Sequence, residues 1–317
     1  MDAKLSTLAF YNTENFYSKI KDKESSFLPS NFTKWEDERY DKKVEKIAKT
    51  ISLIGFKETK ELPILVGLSE IENTTVLNDL ISSEYLNKGN YDYILYESLD
   101  ERNINVGCIY RKDLIKIHKS EPIRIVFKNQ NNEKSYTRDI LFLKTEIDNS
   151  IIYFFILHLP SKLDLEINQN KRAILLEKIN NRIADLRFLD KDAKIIIMGD
   201  FNDSPTADNI RLILNTNPSL YELKENEFFN PMVKLMSYKR GSLIHKKQWM
   251  LFDQMLFSYG FKSQKSNIEL IKTDIFNESF LTINEGKQGA FPFRTFIGSK
   301  YLGGYSDHFP IYTIIKY

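Results

Sequence analysis

Apolar positions along this chain fall mostly into short continuous runs set between polar turns, with a few longer stretches at helical spacing. The short runs read as strands, many of them buried on both faces. They cover Leu5 to Tyr11, Pro63 to Glu70, Tyr91 to Tyr96, Ile104 to Tyr110, Ile123 to Phe127, Asp139 to Ile147, Ile151 to Leu157, Ile195 to Met198, Phe252 to Phe257 and Ile311 to Ile315. Helical spacing appears at Val44, Ile47, Ala48, Ile51 and Ile54, with Gly55 as the stop. A short capped helix follows from Asn73 to Ile81. The longest helix spans Glu166 to Phe188, with Ala173, Ile174, Leu176, Ile179, Ile183 and Leu186 on its buried side. Residues 18 to 40 read as a long polar loop anchored by Pro29 and Trp35. The middle strands have no helices between them, which predicts antiparallel pairing there. No repeat or domain boundary is evident, so residues 1–317 are expected to form one α/β domain.

The ends of these strands share a feature: apolar residues run directly into polar ones. The stretch from Lys194 to Pro205 is the sharpest case. Gly199 lets the chain bend, and Pro205 ends pairing soon afterwards. Asp200 and Asn202 are two apart, so an extended backbone would send both to the same side. A solvated turn is the competing reading of these residues. Asn12 and Glu14 follow the first strand with the same spacing, Glu70 closes the second, and His158 closes the run from Ile151. Asp253 sits between Phe252 and Met255, where a carboxylate must be paired or catalytic because an unpaired buried charge is costly. Ser306, Asp307 and His308 precede the last strand. As chain neighbours they point to alternate sides, so they cannot line up as a hydrolytic triad.

Composition narrows the class. Apolar residues make up 42% of 317, enough for a sizeable core, and 28% charged residues give a well-solvated surface. The net charge of +2 supplies no global field for nucleic acid, leaving only local basic patches. The one cysteine, Cys108, lies in an apolar run and reads as a buried hydrophobe, which excludes a disulfide or thiolate-metal framework within the chain. No apolar run approaches the roughly 20 residues of a membrane span. The N-terminus lacks a secretory pattern, so a cytoplasmic, soluble monomer is expected, a removed signal being the alternative.

Collected together, the strand ends offer Asn12, Glu70, His158, Asp200, Asn202, Asp253, Asp307 and His308. Carboxylates and amides suit Mg²⁺, with Mn²⁺ as its substitute, better than zinc. One such ion with amide and imidazole donors is what hydrolysis of a phosphate ester requires. Arg102 and Arg111 could add guanidinium contacts to phosphate, with ordinary surface charge as the competing reading.

These motifs resemble, in order, those of the metal-dependent endonuclease/exonuclease/phosphatase superfamily. Tyr11 to Asn15 is similar to its first motif, Leu68 to Glu70 to the one carrying the main metal-binding glutamate, and Leu157 to Ser161 to the third. Gly199 to Asn202, Phe252 to Gln254 and Ser306 to His308 resemble the remainder. The resemblance implies a four-layer α/β sandwich, two mostly antiparallel sheets packed face to face and flanked by helices, of the DNase I type. It implies Glu70 as principal metal ligand with Asn12 and Asp307 close by, and Asp200 and Asn202 positioning water and phosphate. It further implies that His308, oriented by Asp253, touches phosphate or acts as base, and that His158 stabilises the transition state or protonates the leaving group. His158-Leu-Pro-Ser-Lys162 departs from the tyrosine-containing run of abasic-site nucleases and is more similar to the deoxyribonuclease, sphingomyelinase and inositol-phosphatase branches. The run from Phe293 to Tyr305 resembles an uncharacterised bacterial subgroup. The expected function is a Mg²⁺-dependent phosphodiesterase, foremost a nuclease on DNA or RNA. The alternatives are a phosphatase or phosphodiesterase for a small molecule or lipid headgroup, and a non-catalytic binding module.

Overall fold

The computed structural model describes residues 4–19, 35–129, 131–162, 165–237, 239–284 and 290–317. Pro29, expected to anchor a loop, lies outside them. In chain order the elements begin with β1 (Leu5–Phe16), α1 (Asp37–Leu53), β2 (Leu65–Ile71), α2 (Thr74–Ser82), β3 (Tyr91–Leu95), β4 (Asn105–Arg111) and β5 (Lys116–Ile123). There follow β6 (Ile140–Ile147), β7 (Ser150–His158), α3 (Leu165–Leu189), β8 (Lys194–Asp200), β9 (Thr216–Asn217) and β10 (Phe228–Phe229). The remainder comprises β11 (Leu243–His245), β12 (Gln248–Met250), β13 (Asp253–Ser258), β14 (Glu269–Ile275), β15 (Thr282–Asn284), β16 (Ala290–Pro292) and β17 (Ile311–Lys316).

Two large sheets carry the fold. One runs β14-β17-β1-β2-β4-β3 and the other β9-β10-β13-β8-β7-β6-β5. Pairing is mostly antiparallel, but each sheet has a parallel pair near its middle, β1 with β2 and β7 with β8. Those pairs hold the most continuous apolar runs, as strands covered on both faces require. The sheets approach closely at Gly67, where an added Cβ would lie 2.9 Å from Ile156 and 3.2 Å from the Met198 sulfur. Any side chain there would push the layers apart. On the outside, Leu175, Leu176, Ile179 and Ile183 of α3 join Phe155, Leu157, Ile195 and Ile197 in one cluster. Ile47, Ala48 and Ile51 of α1 belong to the other cluster, which also takes in Leu8 and Phe10 of β1, Leu65 of β2, and Phe154, Ile156, Ile196 and Met198 of the second sheet. Burial of each such side chain contributes about 1.5–3 kcal/mol.

Three expectations are corrected. Ile123 to Phe127 is not a strand: β5 runs earlier, over Lys116–Ile123, and its alternation was masked because an edge strand carries charges toward water. The loop expected over residues 18 to 40 ends earlier, because α1 already starts at Asp37: Tyr40 and Trp35 are buried, Trp35 donating from Nε1 to the Tyr17 carbonyl. On α3, Leu175 occupies the buried stripe, while Ile174 is exposed and Ala173 only half-buried. Asn73 does cap α2, its side chain accepting the Val76 N–H, and Cys108 is buried. Among the described residues no helix is long and apolar enough to cross a membrane.

Candidate active site

Strand register does most of the assembly. Across the second sheet, Asp200 at the end of β8 sits opposite His158 on β7 and opposite Asp253 on β13. Three polar side chains thus form a row at one sheet edge, where pairing stops and apolar cover ends. Gly199, at φ 154°, is needed for that row: a Cβ there would stand 2.0 Å from the Leu157 carbonyl oxygen of the adjacent strand. The first sheet meets the row from the other side. Asn12 of β1 donates from Nδ2 to Asp200 Oδ2 at 3.1 Å.

Alternation along the strands breaks down at the site, which corrects two expectations. Asn202 does not continue an extended backbone: it turns at φ 48°, its N–H donating to Asp200 Oδ1 and its Nδ2 to the Leu159 carbonyl. Asn12 and Glu14 do not share a face either. Glu14 and Asn15 are left-handed, at φ 52° and 45°, so Asn12 faces Asp200 while the Glu14 carboxylate accepts the Thr295 and Phe296 N–H groups. Glu70, at φ 63°, is also left-handed. Such strained residues cost of order 1–3 kcal/mol each and persist where their surroundings hold them.

Glu70 Oε2 accepts the Asn15 N–H at 2.7 Å, and its Oε1 lies 3.4 Å from the Arg102 guanidinium. His158 Nε2 stands between the two acids, 3.9 Å from Glu70 Oε1 and 3.6 Å from Asp200 Oδ2. His308 Nδ1 donates to Asp253 Oδ2 at 2.7 Å, which leaves its Nε2 facing Asp200 Oδ2 at 3.9 Å. Ser306 and Asp307 face elsewhere, Ser306 donating to the Asn12 carbonyl and Asp307 accepting from Arg294 at 2.5 Å, so no triad forms. Arg102 is brought to the site, but Arg111 is not: at the far end of β4 it is held by Glu61 and Asp113. The antiparallel run of β4 beside β2 carries it away from Glu70.

Burial and the neighbouring Asp253 charge raise the Asp200 carboxyl to about 7, against the pull of His308 and its hydrogen bonds. Burial and Asp307 raise Glu14 to about 7. Burial lowers Lys43 of α1 to about 8, countered by Glu14 and Asp307. His158 is pushed well down by burial, Arg138, Arg102 and His308. For His308, burial is outweighed by Asp253, Asp307 and Asp200, and its pKa rises well above the usual value. Asp307 is held low, because His308 and Arg294 outweigh its burial.

The donor set suits a divalent cation. Ligand atoms of Asp200, Asp253 and His308 lie within 4.8 Å of one another, and Asp253 Oδ1 is buried without a partner among the described residues. Asp200 is hydrogen-bonded by Asn12 and Asn202 and Asp253 by His308, so the one uncommitted oxygen, Asp253 Oδ1, is the feature that suits a hard cation with oxygen preference. Sequence reasoning did not single out Lys43 or Arg138, and it met Glu14, Asn15 and Arg294 only inside longer runs, without the contacts they make here. Lys43 left a signal, a lysine on the same helical stripe as Tyr40, Ile47 and Ile51.

A raised carboxyl pKa has a stability consequence. Asp200 keeps its proton in the folded chain up to about pH 7 and releases it near the ordinary carboxylate range when unfolded. The contribution of Asp200 to stability therefore falls as pH rises from about 4 to 7. In metal-free protein the melting temperature of Asp200→Asn should gain on the wild type across that interval, a comparison in which the other titrating groups cancel. Equal melting curves at both ends would remove Asp200 as a burdened carboxylate.

A family model described as Endonuclease/Exonuclease/phosphatase family matches residues 7–317. No curated protein matches the chain in sequence. Among solved structures, an endonuclease/exonuclease/phosphatase family protein from Bacteroides thetaiotaomicron is similar at 14% identity and TM-score 0.61, covering 100% of this chain and 96% of that one. The mannosyl-6-phosphatase Bt3783 of the same organism gives 14% and 0.60, covering 98% and 99%. A humanized D. rerio TDP2 gives 15% and 0.58, covering 98% of each chain. These likenesses establish the fold, a DNase I-like sandwich with helices outside its two sheets. The chain belongs to the endonuclease/exonuclease/phosphatase family, whose members are metal-dependent hydrolases of phosphoesters.

Proposed function

We propose that this protein is a Mg²⁺-dependent phosphodiesterase acting on nucleic acid. The observation that carries the chemistry is the in-register row of His158, Asp200 and Asp253, closed from the opposite sheet by Asn12 and Glu70. Glu70, with Asn12 and Asp307, would hold the divalent ion, which when bound neutralises phosphate charge. Asp200, raised in pKa and faced by the Asn12 amide, takes a proton from the attacking water. Asn202 fixes that carboxylate through its N–H and sets the turn toward phosphate. His308, charged and held by Asp253, presents Nε2–H to the phosphate oxygens as their charge grows. His158, held neutral between Glu70 and Asp200, donates a hydrogen bond without adding charge. Arg102 would reach phosphate as it reaches Glu70.

The substrate reading is supported by a groove beside Asp307. A cavity of about 840 Å³ is lined by Lys239, Lys247, Trp249, Phe291 and Phe309, and among the described residues no Asp or Glu lines it. A smaller one, shared through Lys247 and Phe291, reaches Arg294 and Asp307. Trp249 stacks on Phe309 at 5.9 Å, next to His308 in the chain. Lysines with aromatic faces suit a single strand, whose phosphates and bases they contact separately. D. rerio TDP2 has been solved with a single-strand DNA product, on the same fold.

The test is a panel of plasmid, single-stranded RNA and DNA, bis-p-nitrophenyl phosphate and inositol phosphates, with Mg²⁺ or with EDTA. Cleavage of nucleic acid with Mg²⁺ and none with EDTA is expected. Lys247→Glu should raise the KM for single-stranded DNA about tenfold and lower the salt slope by about one phosphate contact, while turnover of bis-p-nitrophenyl phosphate stays at the wild-type rate. Turnover of inositol phosphates with nucleic acids left intact would overturn the substrate reading and favour a small phosphorylated molecule.

A further inference from the structure

Lys43 is the least expected residue near the site. It lies on the core-facing stripe of α1 and is 2% exposed, yet it carries an ammonium. Its Nζ donates to the Glu14 backbone carbonyl at 2.5 Å and to Thr295 Oγ1 at 2.7 Å. Both partners belong to supports of the proposed metal ligands. Glu14 opens the left-handed turn whose next residue, Asn15, gives its N–H to Glu70. Thr295 follows Arg294, which holds Asp307. The Glu14 carboxylate closes the loop by accepting the Thr295 N–H at 2.6 Å.

We propose that Lys43 is a positioning residue for the metal-binding side of the site, one ammonium pinning the two backbone segments that orient Glu70 and Asp307. The inference rests on the reading of Glu70 and Asp307 as metal ligands. Lys43 itself is out of reach of substrate, since it is buried and two of its three N–H donors are held by Glu14 and Thr295 beneath the surface. Covering apolar residues could fill the same volume, but they could not donate to a carbonyl in a left-handed turn. Outer partners of this kind are worth about 10–100-fold in metal affinity.

The sign of the effect separates positioning from simple charge. Removing a buried cation near a metal site should tighten metal binding if only Coulomb repulsion mattered. Loss of a positioning contact should weaken it.

The experiment is Mn²⁺ titration of the full-length, metal-free protein by calorimetry, without substrate. Lys43→Met, nearly isosteric and neutral, should bind Mn²⁺ about tenfold more weakly than wild type while keeping its circular dichroism. Lys43→Arg, which restores a donor, should recover part of that loss. Unchanged or tighter binding by folded Lys43→Met would overturn the inference. If Lys43→Met does not fold, Thr295→Val decides: it keeps the ammonium and removes one partner, and it should weaken Mn²⁺ binding about threefold, unchanged affinity overturning the inference. Failure of the wild type to bind Mn²⁺ would instead sink the metal reading on which it rests.

Discussion

Replacing Asp200 with asparagine should lower kcat on bis-p-nitrophenyl phosphate by about 10²–10⁴-fold, the usual range for losing a positioned general base. The fold should survive, and the metal-free protein should become more stable rather than less at neutral pH. The two effects have one cause. Asp200 is buried at a strand end beside Asp253, and its carboxyl is raised to about 7. A buried carboxylate that the fold disfavours is a readier proton acceptor than one held low by a cation. Asparagine removes the charge that the fold tolerates poorly, keeps an oxygen for the Asn202 N–H, and removes the proton acceptor. Its amide would meet the Asn12 Nδ2 donor, a local cost that limits the gain. Wild-type kcat in Asp200→Asn, or a large loss of melting temperature in metal-free protein, would remove Asp200 from the role of base.

Much of this arrangement was legible in the chain because strand periodicity and strand ends are local properties. Apolar runs such as Ile195 to Met198 identify buried strands, and the first polar residue after each names a candidate site residue. The structure sets His158, Asp200 and Asp253 in one row, brings Asn12, Glu70, Asn202 and His308 against it, and places Asp307 beside Arg294. Arg111 failed because a residue's end of a strand depends on its partner's direction, which sequence spacing does not carry. The facing assumed for Asn12 with Glu14, and for Asp200 with Asn202, failed at left-handed residues, where the alternation of a strand no longer applies. Lys43, Arg138 and Arg294 act through contacts between segments far apart in sequence, such as Lys43 with Thr295. The basic, aromatic groove comes from β11, β12, β15 and β16, three residues each and largely half-exposed, too short to show a strand period.

Removing the His308 imidazole should have an effect as large as that of Asp200, and its dependence on Asp253 should be visible in pH. Asp253 is buried, accepts the Nδ1–H of His308 at 2.7 Å, and heads the interactions that raise its pKa against burial. His308→Ala should therefore cost about 10²–10⁴-fold in kcat. Asp253→Asn leaves the ring in place but withdraws the charge that keeps it protonated. If the protonated form is the active one, activity is lost as pH rises through the His308 pKa, and in Asp253→Asn that loss should begin at lower pH. The double variant should be no slower than His308→Ala alone, because Asp253 acts on the reaction through His308. Additive losses would mean that Asp253 has a separate task, and its unpartnered Oδ1 would then be the place to seek it, as a metal ligand beside Asp200. An unshifted pH profile in Asp253→Asn would instead leave His308 charged by Asp307 and Asp200 alone, and the pair would serve orientation only.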